Sequence, residues 1–208
     1  MSIYYTQCTK LAEEIIAGRI SPFNPNEALI FRDSGSTAVF YSLGNHALGD
    51  LGVLPVGLKI GRERRSLRNR YHREMAYYSL MSDPRFLPAF HIPVDLGDGK
   101  IAILTEDLSD NGENTVSPTG ASYKLRKALY EPFKKFGNFD DIIDSVPCNE
   151  SVAFLVTKPD GTNCEKALDL SPMPLRQGWH EFPNLEEELM RSKEIPQIRA
   201  PEGWLRER

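Results

Sequence analysis

Five short apolar runs, all between residues 27 and 104, constrain the fold of this chain more than any other feature. Each run is rich in Phe, Val, Ile or Leu and is bounded by glycine, proline or aspartate, a pattern that predicts β-strands. The runs lie at 27–32, 37–43, 53–60, 90–94 and 101–104. Between the third and fourth, residues 62–81 predict an amphipathic helix, because apolar side chains recur every three or four positions. Those side chains are Leu67, Tyr71, Met75 and Tyr78.

The second half of the chain carries weaker signals. Residues 107–120 are polar and contain glycine, which predicts a hinge between two lobes. Beyond it we predict helices at 121–136 and 184–192, strands at 152–157 and 165–170, and an irregular tail from 195. The predicted fold class is α+β with two lobes. Residues 1–106 form an antiparallel sheet with one helix, and residues 107–208 form a reduced, truncated helical lobe.

The composition excludes several classes of protein. Of 208 residues, 40% are hydrophobic and 26% are charged, which is ordinary for a globular protein with a sizeable core. A formal charge of −4 gives no overall attraction to nucleic acid or to an anionic membrane. No apolar stretch approaches the roughly 20 residues of a membrane span, and the first residues do not resemble a secretory signal. Three scattered cysteines predict thiols in a reducing compartment rather than a disulfide framework.

Lys59 lies inside the apolar run at 53–60, downstream of a glycine turn. One interpretation is an edge-strand lysine whose ammonium group reaches solvent. The other is a lysine that contacts the α- and β-phosphates of a nucleotide and is held by a carboxylate from the following helix. Glu74 is the better candidate to supply that carboxylate, because it adjoins the apolar stripe of the predicted helix. Glu63 is the weaker candidate, because it lies at the helix start.

The glycine turn itself contains Gly35 followed by Ser36. A glycine lets backbone N–H groups approach phosphate oxygens, which favours a nucleotide phosphate site over this hairpin. A tight hairpin without a ligand explains the same residues. A Walker-type phosphate loop is excluded, because no G-x-x-x-x-G-K-[ST] segment occurs.

Asp144 and Asn149, five residues apart, precede a further aspartate, Asp169, at the end of an apolar run. An aspartate can position an attacking hydroxyl and accept its proton, while Asn and Asp side chains can hold Mg²⁺. A polar loop and a turn residue explain the same positions without any chemistry. In order with the glycine turn and Lys59, however, the set is typical of a phosphoryl-transfer site.

These residues resemble the motif set of the protein kinases. Residues 56–59 resemble the V-A-I-K strand, with Gly35 in a shortened glycine-rich loop and Glu74 as the helix glutamate. Residues 144–149 resemble the D-x-x-x-x-N catalytic loop, and Asp169 resembles the D of D-F-G. Residues 103–108 resemble the hinge between the lobes, whose backbone meets adenine in kinases.

More narrowly, the chain resembles the HopBF family of bacterial type III secreted effectors over roughly residues 27–171. The resemblance implies a reduced two-lobe protein-kinase-like fold that uses ATP and Mg²⁺. It implies a serine/threonine kinase, secreted into the host cytoplasm, that phosphorylates and inactivates a host heat-shock chaperone of the ninety-kilodalton class. The implied catalytic residues are Lys59 and Asp144, the implied nucleotide-binding residues are Gly35, Ser36, Lys59, Glu74, Glu106 and Leu108, and the implied metal ligands are Asn149 and Asp169.

The chain departs from the kinase pattern in its second half. Two isoleucines stand where kinases have His and Arg before Asp144, and the interval from Asn149 to Asp169 is long. Asp141 or Glu150 is the alternative choice for the catalytic-loop roles.

Two other functions fit parts of the sequence. The predicted helix at 62–81 is rich in arginine, and a basic helix can dock an acidic partner or nucleic acid. The overall acidity argues against nucleic acid, and a solvated charged face explains the same arginines. They are Arg62, Arg64, Arg65, Arg68, Arg70 and Arg73. A kinase-like chain can also bind a nucleotide, as a pseudokinase does, without transferring its phosphate.

Overall fold

A computed structural model of the protein describes residues 3–23, 30–34, 38–61, 71, 74, 75, 78, 81, 83–97, 99–130, 153–168 and 195–202. Within these residues the protein is a mixed α+β structure, as the sequence predicts. Helix α1 spans Ile3–Ile16 and helix α2 spans Tyr123–Tyr130. We name a further helix the middle helix and define it by its helical residues Tyr71, Glu74, Met75 and Tyr78.

Nine strands in the described part of the chain form two sheets. The strands are β1 (Ile30–Ser34), β2 (Ala38–Ala47), β3 (Val53–Gly61), β4 (His91–Asp95), β5 (Ile101–Glu106), β6 (Thr115–Pro118), β7 (Ala153–Thr157), β8 (Asn163–Ala167) and β9 (Ile198–Arg199). One sheet has the order β1-β2-β3-β5-β4-β9, and the other has the order β6-β7-β8. Neighbouring strands are antiparallel except β4 and β9, which are parallel. This order places β3 and β5 at the centre of the larger sheet.

Helix α1 packs an apolar stripe against the larger sheet. Tyr4, Cys8, Leu11 and Ile15 recur at helical spacing, and all four are buried. The Tyr4 ring meets Tyr78 of the middle helix edge-on, with 5.7 Å between ring centroids. Burial raises the pKa of Cys8 to about 12, so its thiol stays protonated at neutral pH. This stripe therefore contributes packing rather than a reactive thiolate.

The predicted apolar stripe of the middle helix is confirmed where the structure describes it. Tyr71, Met75 and Tyr78 are 3%, 4% and 1% exposed. Glu74 is 1% exposed, which confirms that this carboxylate lies on the inward face of the helix. Leu67 lies outside the described residues.

Strand β2 is longer than predicted. The sequence predicts its end at 43 because Gly44 reads as a loop residue, but pairing with β3 continues to Ala47. A β-bulge between Ser42 and Gly44 absorbs one extra residue, and Gly44 adopts a left-handed φ of 88° there. The glycine thus bends the strand instead of ending it.

Two strands were not predicted. Strand β6 lies within the predicted hinge at 107–120, and β9 lies within the predicted irregular tail. Both are short, and neither shows the apolar alternation of a half-buried strand. They exist through pairing with distant partners, β7 and β4, which a local pattern cannot reveal. Strand β9 therefore extends a sheet whose other strands all come from the first 106 residues. Among the described helices, none is long and apolar enough to cross a membrane.

Candidate functional site

A cavity of about 600 Å³ lies between the two sheets. Strands β2, β3 and β5 contribute Phe40, Lys59 and Thr105, while β6 and β7 contribute Val116 and Phe154. Its volume lies in the range typical of small-molecule and cofactor sites. Most of the lining is apolar, with a few polar groups from the larger sheet. These features make it the candidate binding site.

Lys59 lines this cavity from the middle of β3, where it pairs with Phe40 on one side and Ile103 on the other. The strand is central, so the interpretation of Lys59 as an edge-strand lysine is wrong. The middle helix brings Glu74 to the same cavity. Two of the residues predicted to bind a nucleotide thus line the same cavity, although 15 positions separate them in the chain.

Glu106 and Leu108, predicted to meet adenine, also line the cavity, at the end of β5. The Asp107 N–H donates to the Pro55 carbonyl at 2.9 Å. Because backbone groups alternate along a strand, those of Glu106 point away from β3. Within the described part of the chain, the Leu108 N–H has no hydrogen-bond acceptor. This segment can therefore offer backbone groups to a planar heterocycle.

The sequence did not single out Asp107, yet its carboxylate organises this segment. The side chain is 1% exposed and accepts hydrogen bonds from Ser109 N at 3.0 Å, Ser109 Oγ at 2.6 Å and Asn111 N at 3.3 Å. The Ser42 hydroxyl, at the β2 bulge, donates to the same carboxylate. Asp110 and Asn111 adopt left-handed φ angles of 46° and 58° to close the turn. An aspartate followed two residues later by serine is the sequence signal for such a turn.

Lys166, which the sequence analysis also missed, ties the second sheet to the first beside the cavity. Its Nζ donates to the Leu87 carbonyl at 2.7 Å and lies 3.9 Å from Glu106 Oε2. The same Glu106 oxygen accepts from Ala89 N at 2.7 Å. Lys166 and Glu106 are largely buried, at 15% and 18% side-chain exposure. These contacts therefore hold the Glu106 side chain in place where Lys166 of the smaller sheet reaches the larger sheet.

Phe40 and Gly57 pack together on the β2–β3 face of the cavity. A Cβ atom at residue 57 would lie 2.2 Å from Phe40 Cζ, so the ring occupies the space that any other residue at 57 would need. A glycine inside a strand often marks such a close approach. The Phe40 ring therefore sets the shape of this wall.

We expect Gly57→Ala to destabilise the protein by about 1–3 kcal/mol, because the added methyl group must displace the Phe40 ring. Chemical denaturation measures the change in the free energy of unfolding. Gly120→Ala is the matched control, since a Cβ there meets no atom within 4 Å. Adding Phe40→Val to Gly57→Ala should recover part of the loss. Equal stability of the Gly57→Ala and Gly120→Ala variants would contradict the packing of Phe40 on Gly57.

The remaining predicted site residues lie outside the described residues. They are Gly35, Ser36, Asp144, Asn149 and Asp169, and the arginines of the alternative basic helix join them. Leu168, immediately before Asp169, does line the cavity. Within the described ranges, no three His, Cys, Asp or Glu side chains form a group that could hold a metal ion. The predicted roles of these residues stay predictions.

Comparison with known proteins adds no further information on function. A scan against protein-family models, a search of curated proteins and a search of solved structures found no match to this chain.

Proposed function

We propose that the protein is a minimal protein kinase that transfers the γ-phosphoryl group of ATP to a serine or threonine hydroxyl of another protein. One observation carries the proposal: Lys59, Glu74, the segment 106–108 and Leu168 all line a single cavity of about 600 Å³. These parts come from distant stretches of the chain. Their order in the sequence is the order of the kinase motifs, and a two-lobe kinase-like fold is part of the proposal.

The roles of the described residues follow from their chemistry. The Lys59 ammonium group would contact the α- and β-phosphates, and Glu74 would orient it. Backbone groups of Glu106 and Leu108 would hydrogen-bond the adenine edge, while Phe40 and Val116 would cover the faces of the base. Such positioning is the main source of catalysis in phosphoryl transfer, since the protein forms no covalent bond to the phosphoryl group.

The other roles fall on residues outside the described ranges. Asp144 would accept the proton of the attacking hydroxyl. Asn149 and Asp169 would hold Mg²⁺, whose chemistry when bound is to neutralise charge on the terminal phosphates. Oxygen ligands of this kind are what Mg²⁺ prefers, and Asp169 directly follows a residue of the cavity wall. Asp141 and Glu150 stay as the alternatives for the catalytic loop.

The acceptor is proposed from the resemblance alone. The HopBF family implies a host heat-shock chaperone of the ninety-kilodalton class, inactivated by phosphorylation, and delivery of the kinase into the host cytoplasm by a type III system. The described residues neither favour nor oppose this acceptor.

Labelled ATP, Mg²⁺ and the purified chaperone test the proposal directly. We expect the natural chain to label the chaperone and Asp169→Ala to lower the rate by roughly a hundredfold or more, because a charge-stabilising group is lost. Asp160→Ala, which removes an exposed carboxylate at the β7–β8 turn, is the control and should keep the natural rate. Equal labelling by the natural chain and Asp169→Ala would show that Asp169 is not a metal ligand. Stabilisation by Mg·ATP without any transfer would favour a nucleotide-binding pseudokinase.

A further inference from the structure

The Glu74 carboxylate is buried on the cavity wall and has a specific partner from the sheet. Glu74 is 1% exposed, and His91 Nε2 of β4 lies 2.9 Å from its Oε2 atom. A buried carboxylate is costly unless a donor satisfies it. The Nε2–H of His91 is such a donor. The contact therefore links the middle helix to the sheet at the residue expected to orient Lys59.

The His91 ring is held on several sides, so it can act as a fixed point. Tyr71 stacks on it, with 5.7 Å between centroids and 13° between planes. Tyr78 meets it edge-on at 5.2 Å. On its other edge, Nδ1 lies 3.4 Å from Thr105 Oγ1, and that hydroxyl donates to the Phe90 carbonyl at 3.0 Å. Rotation of the ring away from Glu74 would break these contacts together.

The sheet register places His91 and Lys59 on the same face. His91 pairs with Thr105, Thr105 pairs with Gly57, and Gly57 lies two residues before Lys59. Side chains two residues apart on a strand share a face, and so do directly paired residues. His91 therefore approaches Glu74 from the sheet face that carries Lys59, and all three residues line the cavity.

We infer that His91 is a positioning residue for phosphoryl transfer: it binds one oxygen of Glu74 and so fixes the carboxylate that orients Lys59. This inference depends on the proposed function. A histidine at this point attaches the middle helix to β4 through a buried hydrogen bond. The position of Glu74 beside the cavity is then built into the fold.

Three variants test this role. His91→Phe keeps a ring for Tyr71 and Tyr78 but removes the donor, and we expect kcat/KM for ATP to fall about 10- to 100-fold, because a hydrogen bond to a charged group is lost. His91→Gln retains an N–H donor and should recover most of that loss. In a Glu74→Gln background, His91→Phe should lower kcat/KM by less than about twofold, because the two residues act together.

The outcomes separate the two proposals. If the natural chain transfers phosphate and His91→Phe keeps its rate, or if the His91→Phe and Glu74→Gln losses multiply, His91 acts through packing alone and the inference is wrong. If the natural chain neither binds Mg·ATP nor transfers phosphate, the proposed function fails, and the role of His91 in transfer fails with it. Circular dichroism and thermal unfolding of each variant test whether a lower transfer rate results from unfolding of the protein.

Discussion

Lys59→Met should lower the rate of phosphate transfer by about 100- to 1,000-fold, the loss typical when one preorganised charge-stabilising group is removed. Methionine keeps the length and the apolar stem of lysine but carries no ammonium group. Lys59 is half-buried in a central strand and lines the cavity, so a methionine stem can pack in its place. The loss should therefore appear in transfer rather than in folding. Initial rates at saturating Mg·ATP, with thermal unfolding of the same samples, measure both.

Lys100→Met is the matched control, because Lys100 is exposed in the turn between β4 and β5 and does not line the cavity. Its transfer rate should equal that of the natural chain. A Lys59→Met variant that retained the natural rate would remove the lysine from the mechanism. The cavity would then need another cation for the phosphates, and the kinase interpretation would lose its main support.

The sequence predicted the parts of this site that depend on local pattern. Lys59 was placed on a strand because five apolar neighbours surround it, and Glu74 was placed inward because it adjoins a helical stripe. Both placements depend only on periodicities of two and of about 3.6 residues. Strand β5 was likewise predicted from an apolar run, but its end was placed at Leu104, two residues before the observed end at Glu106. The local sequence pattern was therefore sufficient to predict these elements.

The parts that depend on distant pairing were not predicted. His91 was not predicted as a site residue, because nothing near it in the chain indicates a contact with Glu74, 17 positions earlier. Lys166 reaches Leu87 across 79 positions, and β9 joins β4 across about a hundred. Such contacts arise only when the sheet order is known. For the same reason Asp107 was predicted only as one of the polar residues of the hinge, since its contact with Ser42 joins distant parts of the chain.

Leu104→Ala should lower the free energy of unfolding by about 2–5 kcal/mol, because it leaves a cavity in a packed core. Leu104 is fully buried in β5 and pairs directly with Leu58 on β3 and Ile92 on β4, both also fully buried. These three side chains lie on the face opposite Lys59, since residues alternate along each strand. A protein of ordinary stability has about 5–15 kcal/mol in total, so the loss is a large fraction of it. Urea unfolding should show a lower midpoint at an unchanged slope.

Val53→Ala is the control. At a site 68% exposed, it should change the free energy of unfolding by no more than about 0.5 kcal/mol. A loss at Leu104 as small as that at Val53 would mean that β5 is not at the packed centre of the sheet, and the placement of Lys59 beside β5 and of Glu106 at its end would fail too.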